Sequence, residues 1–62
     1  MTNTICNYEQ ILQGAEHFGY PVEEWETVDG YAITVYQGTF YRIHYYFNAD
    51  KSYDSCEVEA IQ

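Results

Sequence analysis

A chain of 62 residues has room for one small domain, and at this size folding withdraws only roughly 60% of the unfolded surface from water, which excludes a thick core and a multidomain organisation. Ten Asp and Glu against two Lys and Arg give a net charge of −8, which repels phosphate backbones and anionic membranes, argues against direct nucleic-acid binding and favours cationic partners. An apolar share of 47% with 8 Tyr, 3 Phe and 1 Trp excludes a disordered acidic tail.

The first residues, Met1-Thr2-Asn3-Thr4-Ile5-Cys6, lack the basic and apolar regions of a signal peptide. No apolar stretch approaches the roughly 20 residues of a membrane span, so an intracellular, cytoplasmic protein without a membrane partner is expected. Cys6 and Cys56 are too few for a secreted disulfide scaffold and read as small buried hydrophobes carrying free thiols.

Tyr8, Ile11, Leu12, Ala15 and Phe18 form the stripe of a one-sided helix over residues 8 to 18. Asn7 is its expected cap with Gln10 as the reciprocal partner, Gly19 its left-handed end, and Pro21 prevents continuation. Gly14 inside this stripe costs about 1 kcal/mol relative to Ala, which suggests a close approach to the sheet.

From Val22 onward the pattern has period two, broken by Asp29-Gly30, Gln37-Gly38 and the cluster Asn48 to Ser52, so four strands are expected. Two-residue turns at the two glycine dipeptides would set Glu26 across from Ile33 and Ile33 across from Arg42, mixing charged and apolar residues on one face. Three-residue loops ending in glycine, Val28-Asp29-Gly30 and Tyr36-Gln37-Gly38, instead pair Trp25 with Ile33, Ile33 with Tyr41 and Tyr31 with Ile43. A four-residue loop from Ala49 to Ser52 then sets Cys56 opposite Tyr45, Val58 opposite Ile43 and Ala60 opposite Tyr41. The expected fold is a single α+β domain over 1–62, one N-terminal helix packed on a four-stranded antiparallel meander and covering Trp25, Tyr31, Ile33, Val35, Tyr41, Ile43, Tyr45, Phe47, Cys56, Val58 and Ala60.

The same registers put Glu24, Glu26, Ala32, Thr34, Tyr36, Phe40, Arg42, His44, Tyr46, Glu57 and Glu59 on the opposite, open face. Arg42 falls opposite Glu59 and His44 opposite Glu57. Aromatics rimmed by carboxylates suit a docking surface, although a small sheet also has a solvated face for no functional reason. Glu23, Glu24, Glu26 and Asp29 near the first hairpin, and Asp50 and Asp54 near the last turn, extend the acidity beyond that face.

Catalytic and metal chemistry finds little support. His17, His44, Cys6 and Cys56 share no CxxC, HxxxH or HxxE spacing, and Cys56 and His44 point to opposite faces, which argues against a thiol–imidazole pair. Asn48 to Asp54 faintly suggests a calcium loop but lacks its closing Glu, so it reads as a turn. His17 suits the helix C-terminus. No enzyme activity, metal or cofactor is expected.

In size, charge, tyrosine content and architecture the whole chain resembles the small acidic inhibitors of phages and mobile elements, of the anti-CRISPR and DNA-mimic kind. The resemblance implies a stoichiometric inhibitor, acting in the host cytoplasm, that covers a basic nucleic-acid-binding surface of a host defence or DNA-processing protein. Carboxylates would stand in for phosphates and aromatic rings for stacked bases. The partner-binding residues expected are Glu23, Glu24, Glu26, Asp29, Tyr36, Phe40, Tyr46, Asp50, Glu57 and Glu59. The alternative is a homodimeric structural or accessory protein that buries Phe40, Tyr36 and Tyr46 against a second copy.

Overall fold

A computed structural model describes residues 7–61; Cys6 and the residues before it, and Gln62, lie outside the described part. Helix α1 runs over Tyr8–Phe18, followed by strands β1 (Val22–Glu26), β2 (Gly30–Gln37), β3 (Tyr41–Asn48) and β4 (Tyr53–Ala60). The strands form one antiparallel sheet in the order β1-β2-β3-β4, the expected meander.

The helix starts and stops where its local chemistry dictates. Asn7 Oδ1 accepts from Gln10 N at 2.9 Å and Gln10 Oε1 accepts from Asn7 N at 3.0 Å, a reciprocal capping box. Gly19 takes the left-handed conformation, φ 77°, and returns its N–H to the carbonyls of Ala15 and Glu16. Gly14 does not approach the sheet as its sequence position suggested: a Cβ there would meet nothing within 4 Å. Gly14→Ala is therefore expected to stabilise the protein by about 1 kcal/mol, because helical φ/ψ suits alanine and the unfolded chain loses freedom. Thermal unfolding should show the midpoint rising by about 4–8 °C.

The registers agree with the sequence at one end of the sheet and depart from it at the other. Between β3 and β4, Tyr41↔Ala60, Arg42↔Glu59, Ile43↔Val58, His44↔Glu57 and Tyr45↔Cys56 pair as expected, with a bulge after Tyr46↔Ser55 that leaves Asp54 unpaired before Phe47↔Tyr53. Between β2 and β3 the pairs are Ile33↔Tyr45 and Tyr31↔Phe47, not Ile33–Tyr41 and Tyr31–Ile43. The turn lies at Gly38-Thr39-Phe40, with Gly38 left-handed at φ 73°. This offset is even, so β2 and β3 keep their expected faces, but Phe40 leaves the sheet for the loop.

Between β1 and β2 the correction is larger. Trp25 pairs with Ala32, Glu24 with Ile33 and Val22 with Val35, and the bond from Thr27 N to Gly30 O, 2.9 Å, leaves Val28 and Asp29 as a two-residue tip. This one-residue difference sends Trp25 and Glu23 to the open face and Val22, Glu24 and Glu26 to the helix side. Gly30 has no positive φ and so is not a G1-bulge residue. The G1-like geometry appears instead at the third hairpin, where Lys51 N–H donates to Asn48 O at 2.8 Å, Asn48 N–H donates to Ser52 O at 2.8 Å, and Lys51 itself is left-handed at φ 69°.

The core is a single thin layer. Ala15 of the helix meets Ile33, Val35 and Phe47 of the two central strands, with Tyr8, Ile11, Leu12, Tyr20, Val22, Tyr31 and Tyr45 packed around them. A helix roughly 10 Å across covers about two strands at their usual spacing of about 4.8 Å, so it cannot reach all four. Every residue of β4 is exposed in consequence: Val58, expected under the helix, is 61% exposed, and Cys56 is an exposed free thiol, not a buried one.

Candidate functional site

The open face gathers a chain of polar contacts that runs across all four strands. The Tyr36 hydroxyl donates to Glu23 Oε1 at 2.5 Å, and the Arg42 guanidinium stands 5.8 Å from the Tyr36 ring centroid. Arg42 Nη1 lies 3.9 Å from Glu59 Oε1, and His44 Nε2 lies 3.0 Å from the same oxygen. His44 therefore pairs with Glu59, its diagonal neighbour, and not with the directly opposite Glu57. Since a carboxylate only accepts, Nε2 carries a proton towards Glu59, and Nδ1 shares a hydrogen bond with the Thr34 hydroxyl at 2.9 Å. The hydrogen bond from His44 and the charge of Arg42 hold the Glu59 carboxyl below its usual range, while the bond to Glu23 raises the Tyr36 phenol.

A hydroxyl, an imidazole and a carboxylate in series invite comparison with a nucleophilic triad. Thr34 is only 2% exposed, however, which closes its hydroxyl to an incoming substrate carbon. The series instead ties β2, β3 and β4 together across the face, and Arg42 Nε on the same face is buried without a hydrogen-bond partner.

Of the expected partner-binding residues, Glu23, Tyr36, Tyr46, Glu57 and Glu59 share the open face. Trp25, expected in the core, joins them there and is 41% exposed. Its misplacement was unavoidable from pattern alone, because Val22-Glu-Glu-Trp-Glu offers one apolar residue to each face. Phe40 sits in the β2–β3 loop and Asp29 at the tip of the first hairpin. Asp50 is turned inward on its own turn, accepting from Ser52 N at 3.0 Å and Ser52 Oγ at 2.6 Å, contacts that lower its pKa.

Glu24 and Glu26 belong to a different place, the end of the molecule where the first hairpin meets the β3–β4 turn. The Tyr8 hydroxyl donates to Glu24 Oε1 at 2.6 Å, linking the first helical turn to β1. Burial first, then this bond and the Glu24 charge, push the Tyr8 pKa up to about 12. The folded state thus holds the phenol proton more tightly than the unfolded chain, whose value is 10.0. The stability this contributes is complete below pH 10 and is lost as pH rises towards 12. Alkaline unfolding between these values should weaken in Tyr8→Phe, and denaturant titrations at stepped pH will read that difference.

Lys51 completes this end. Its Nζ stands 4.6 Å from the Tyr8 ring centroid and 4.9 Å from that of Tyr31. Among the described residues no group of three or more His, Cys, Asp or Glu gathers as a metal site, and no helix is long and apolar enough to cross a membrane. Comparison with protein-family models, with curated proteins and with solved structures finds no match for the chain.

Proposed function

We propose that the protein is a non-catalytic binding protein that blocks a basic, nucleic-acid-binding surface of a host defence or DNA-processing protein, in the manner of phage-encoded anti-CRISPR or DNA-mimic inhibitors. The observation that supports this reading best is β1. Among the described residues it is an edge strand without an outer partner, with Glu23, Glu24 and Glu26 exposed around Trp25 and the tip residues Val28 and Asp29 beyond it. An exposed aromatic flanked by carboxylates can rest on a basic groove as a base flanked by phosphates does, and the charges would steer association.

The test is capture of partners by the purified protein from host lysate at rising salt, followed by association rates with the partner recovered. A basic nucleic-acid-binding protein whose association falls steeply with ionic strength is the expected result. Glu26→Lys with Asp29→Lys is the suitable charge reversal, because Glu24 is tied to Tyr8 and its loss would also disturb folding. Association should slow by about tenfold or more. Binding indifferent to salt and to this double reversal would sink the reading.

Self-association is the second reading, and exposed apolar residues at the β4 side of the sheet favour it. Val58, Tyr41, Tyr53 and Ile61 are exposed on or beside β4, whose outer edge has no strand partner among the described residues either. Such an edge invites pairing with a second copy. Sedimentation giving a strict monomer at high concentration would exclude it.

A further inference from the structure

The chain's single lysine occupies a position its backbone does not favour. Lys51 is left-handed at φ 69°, a conformation that glycine and asparagine adopt far more readily. Turn geometry alone therefore gives no reason for lysine here. Its side chain supplies one: the ammonium lies against the faces of Tyr8 and Tyr31, whose rings stand edge to face at 74° with centroids 6.0 Å apart, two walls of a corner. Among the described residues Lys51 makes no salt bridge, so the ring faces and not a carboxylate hold it.

The surroundings select for positive charge on both sides of this corner. Glu24 and Glu26 line a cleft of about 210 Å³ together with Tyr8, Tyr31 and Lys51. Glu9 and Asp50 line a second, of about 580 Å³, together with Tyr8 and Lys51. Tyr8 and Lys51 line both clefts, and each cleft has two carboxylates in its lining. The bond from Tyr8 to Glu24 holds one ring of the corner in place.

We propose that Tyr8 and Tyr31, backed by Glu24 and Glu26, form a binding cage for alkylammonium groups, which Lys51 occupies in cis as a displaceable plug. Aromatic corners of this kind take ammonium and quaternary ammonium groups because the ring faces are electron-rich while the ligand's methyl or methylene groups are weakly hydrated. A tethered occupant competes at an effective concentration in the millimolar range or above, so a free cation binds weakly until Lys51 is removed. The cage is independent of the inhibitor reading, since a small cation fills it whether or not the partner is a basic protein.

Lys51→Gly removes the ammonium and suits the left-handed backbone; Lys51→Asn does the same with a different side chain. Each is titrated with tetramethylammonium chloride and, in parallel, with N-acetyl-lysine methylamide, against matched sodium chloride, while the tyrosine ring protons are followed by NMR. Saturable shifts of Tyr8 and Tyr31 are expected in both variants, with affinity about tenfold above that of the unsubstituted protein. They should disappear in Lys51→Gly/Tyr31→Leu while its amide spectrum stays dispersed. Saturation by the lysine amide identifies a protein side chain as the natural occupant, and saturation by tetramethylammonium alone identifies a free quaternary amine. Shifts no different from those in sodium chloride in both single variants overturn the cage. Equal affinity with Lys51 present overturns the plug.

Discussion

Gly30→Ala is expected to destabilise the protein by about 3 kcal/mol, a large part of the roughly 3–9 kcal/mol available to a chain of this length. Gly30 opens β2 opposite Asn48, and a Cβ built on it would run into the Phe47 carbonyl oxygen and stand 2.8 Å from the Asn48 carbonyl carbon. Both atoms are backbone of β3, so no rotamer change relieves the clash; the strand must move. It is pinned there on both sides, by the β3–β4 bulge after Tyr46 and by the Asn48–Ser52 turn bond. The thermal midpoint should fall by about 12–24 °C. The contrast with Gly14→Ala makes the test specific: the same substitution is expected to have opposite signs at two glycines, one open to space and one against backbone. A loss below about 1 kcal/mol would mean that β2 does not start beside Asn48.

Phe47→Ala is expected to cost about 3–5 kcal/mol and to leave much of the protein unfolded at 25 °C. Phe47 is 3% exposed and joins the sheet to the first helical turn at Tyr8 and to the start of β4 at Tyr53. Its ring meets that of Tyr8 edge to face at 5.1 Å and that of Tyr53 at 6.3 Å, geometries that add about 0.5–1.5 kcal/mol per pair beyond the area buried. It packs in one thin layer with the buried Ala15, Ile33 and Val35, and among the described residues no second apolar cluster compensates. Amide spectra and near-ultraviolet dichroism will report the loss. Phe47→Leu, which keeps most of the volume, should retain dispersed spectra at reduced stability, and a fully native Phe47→Ala would show that the core lies elsewhere.

The candidate site was only partly legible. Tyr36, Tyr46, Glu57 and Glu59 could be placed because β2, β3 and β4 alternate apolar and polar residues over eight positions each, which fixes their faces. Glu24, Glu26 and Phe40 could not. In β1 the alternation is ambiguous, and at Phe40 the question was where the turn lies, which an even slip of register leaves open. The pairing of His44 with Glu59 and not Glu57 depends on side-chain reach across a diagonal, a distance that strand spacing permits but does not require.

From the sequence alone followed the helix with both its caps, the four strands in meander order, the parity of the three long strands and the pairing of β3 with β4. These rest on local signals: capping chemistry, periodicity, and a connection short enough to leave one register. Tertiary structure alone decided the offset between β2 and β3, since period-two patterns define a face but not a distance along it. It also decided which side of the sheet β1 turns to the helix, and it left β4 uncovered, because one helix is narrower than four strands. The cage around Lys51 belongs to the same class. Its parts come from the first helical turn, two strands and a turn, widely separated in the chain, and no spacing in the sequence announces that they meet.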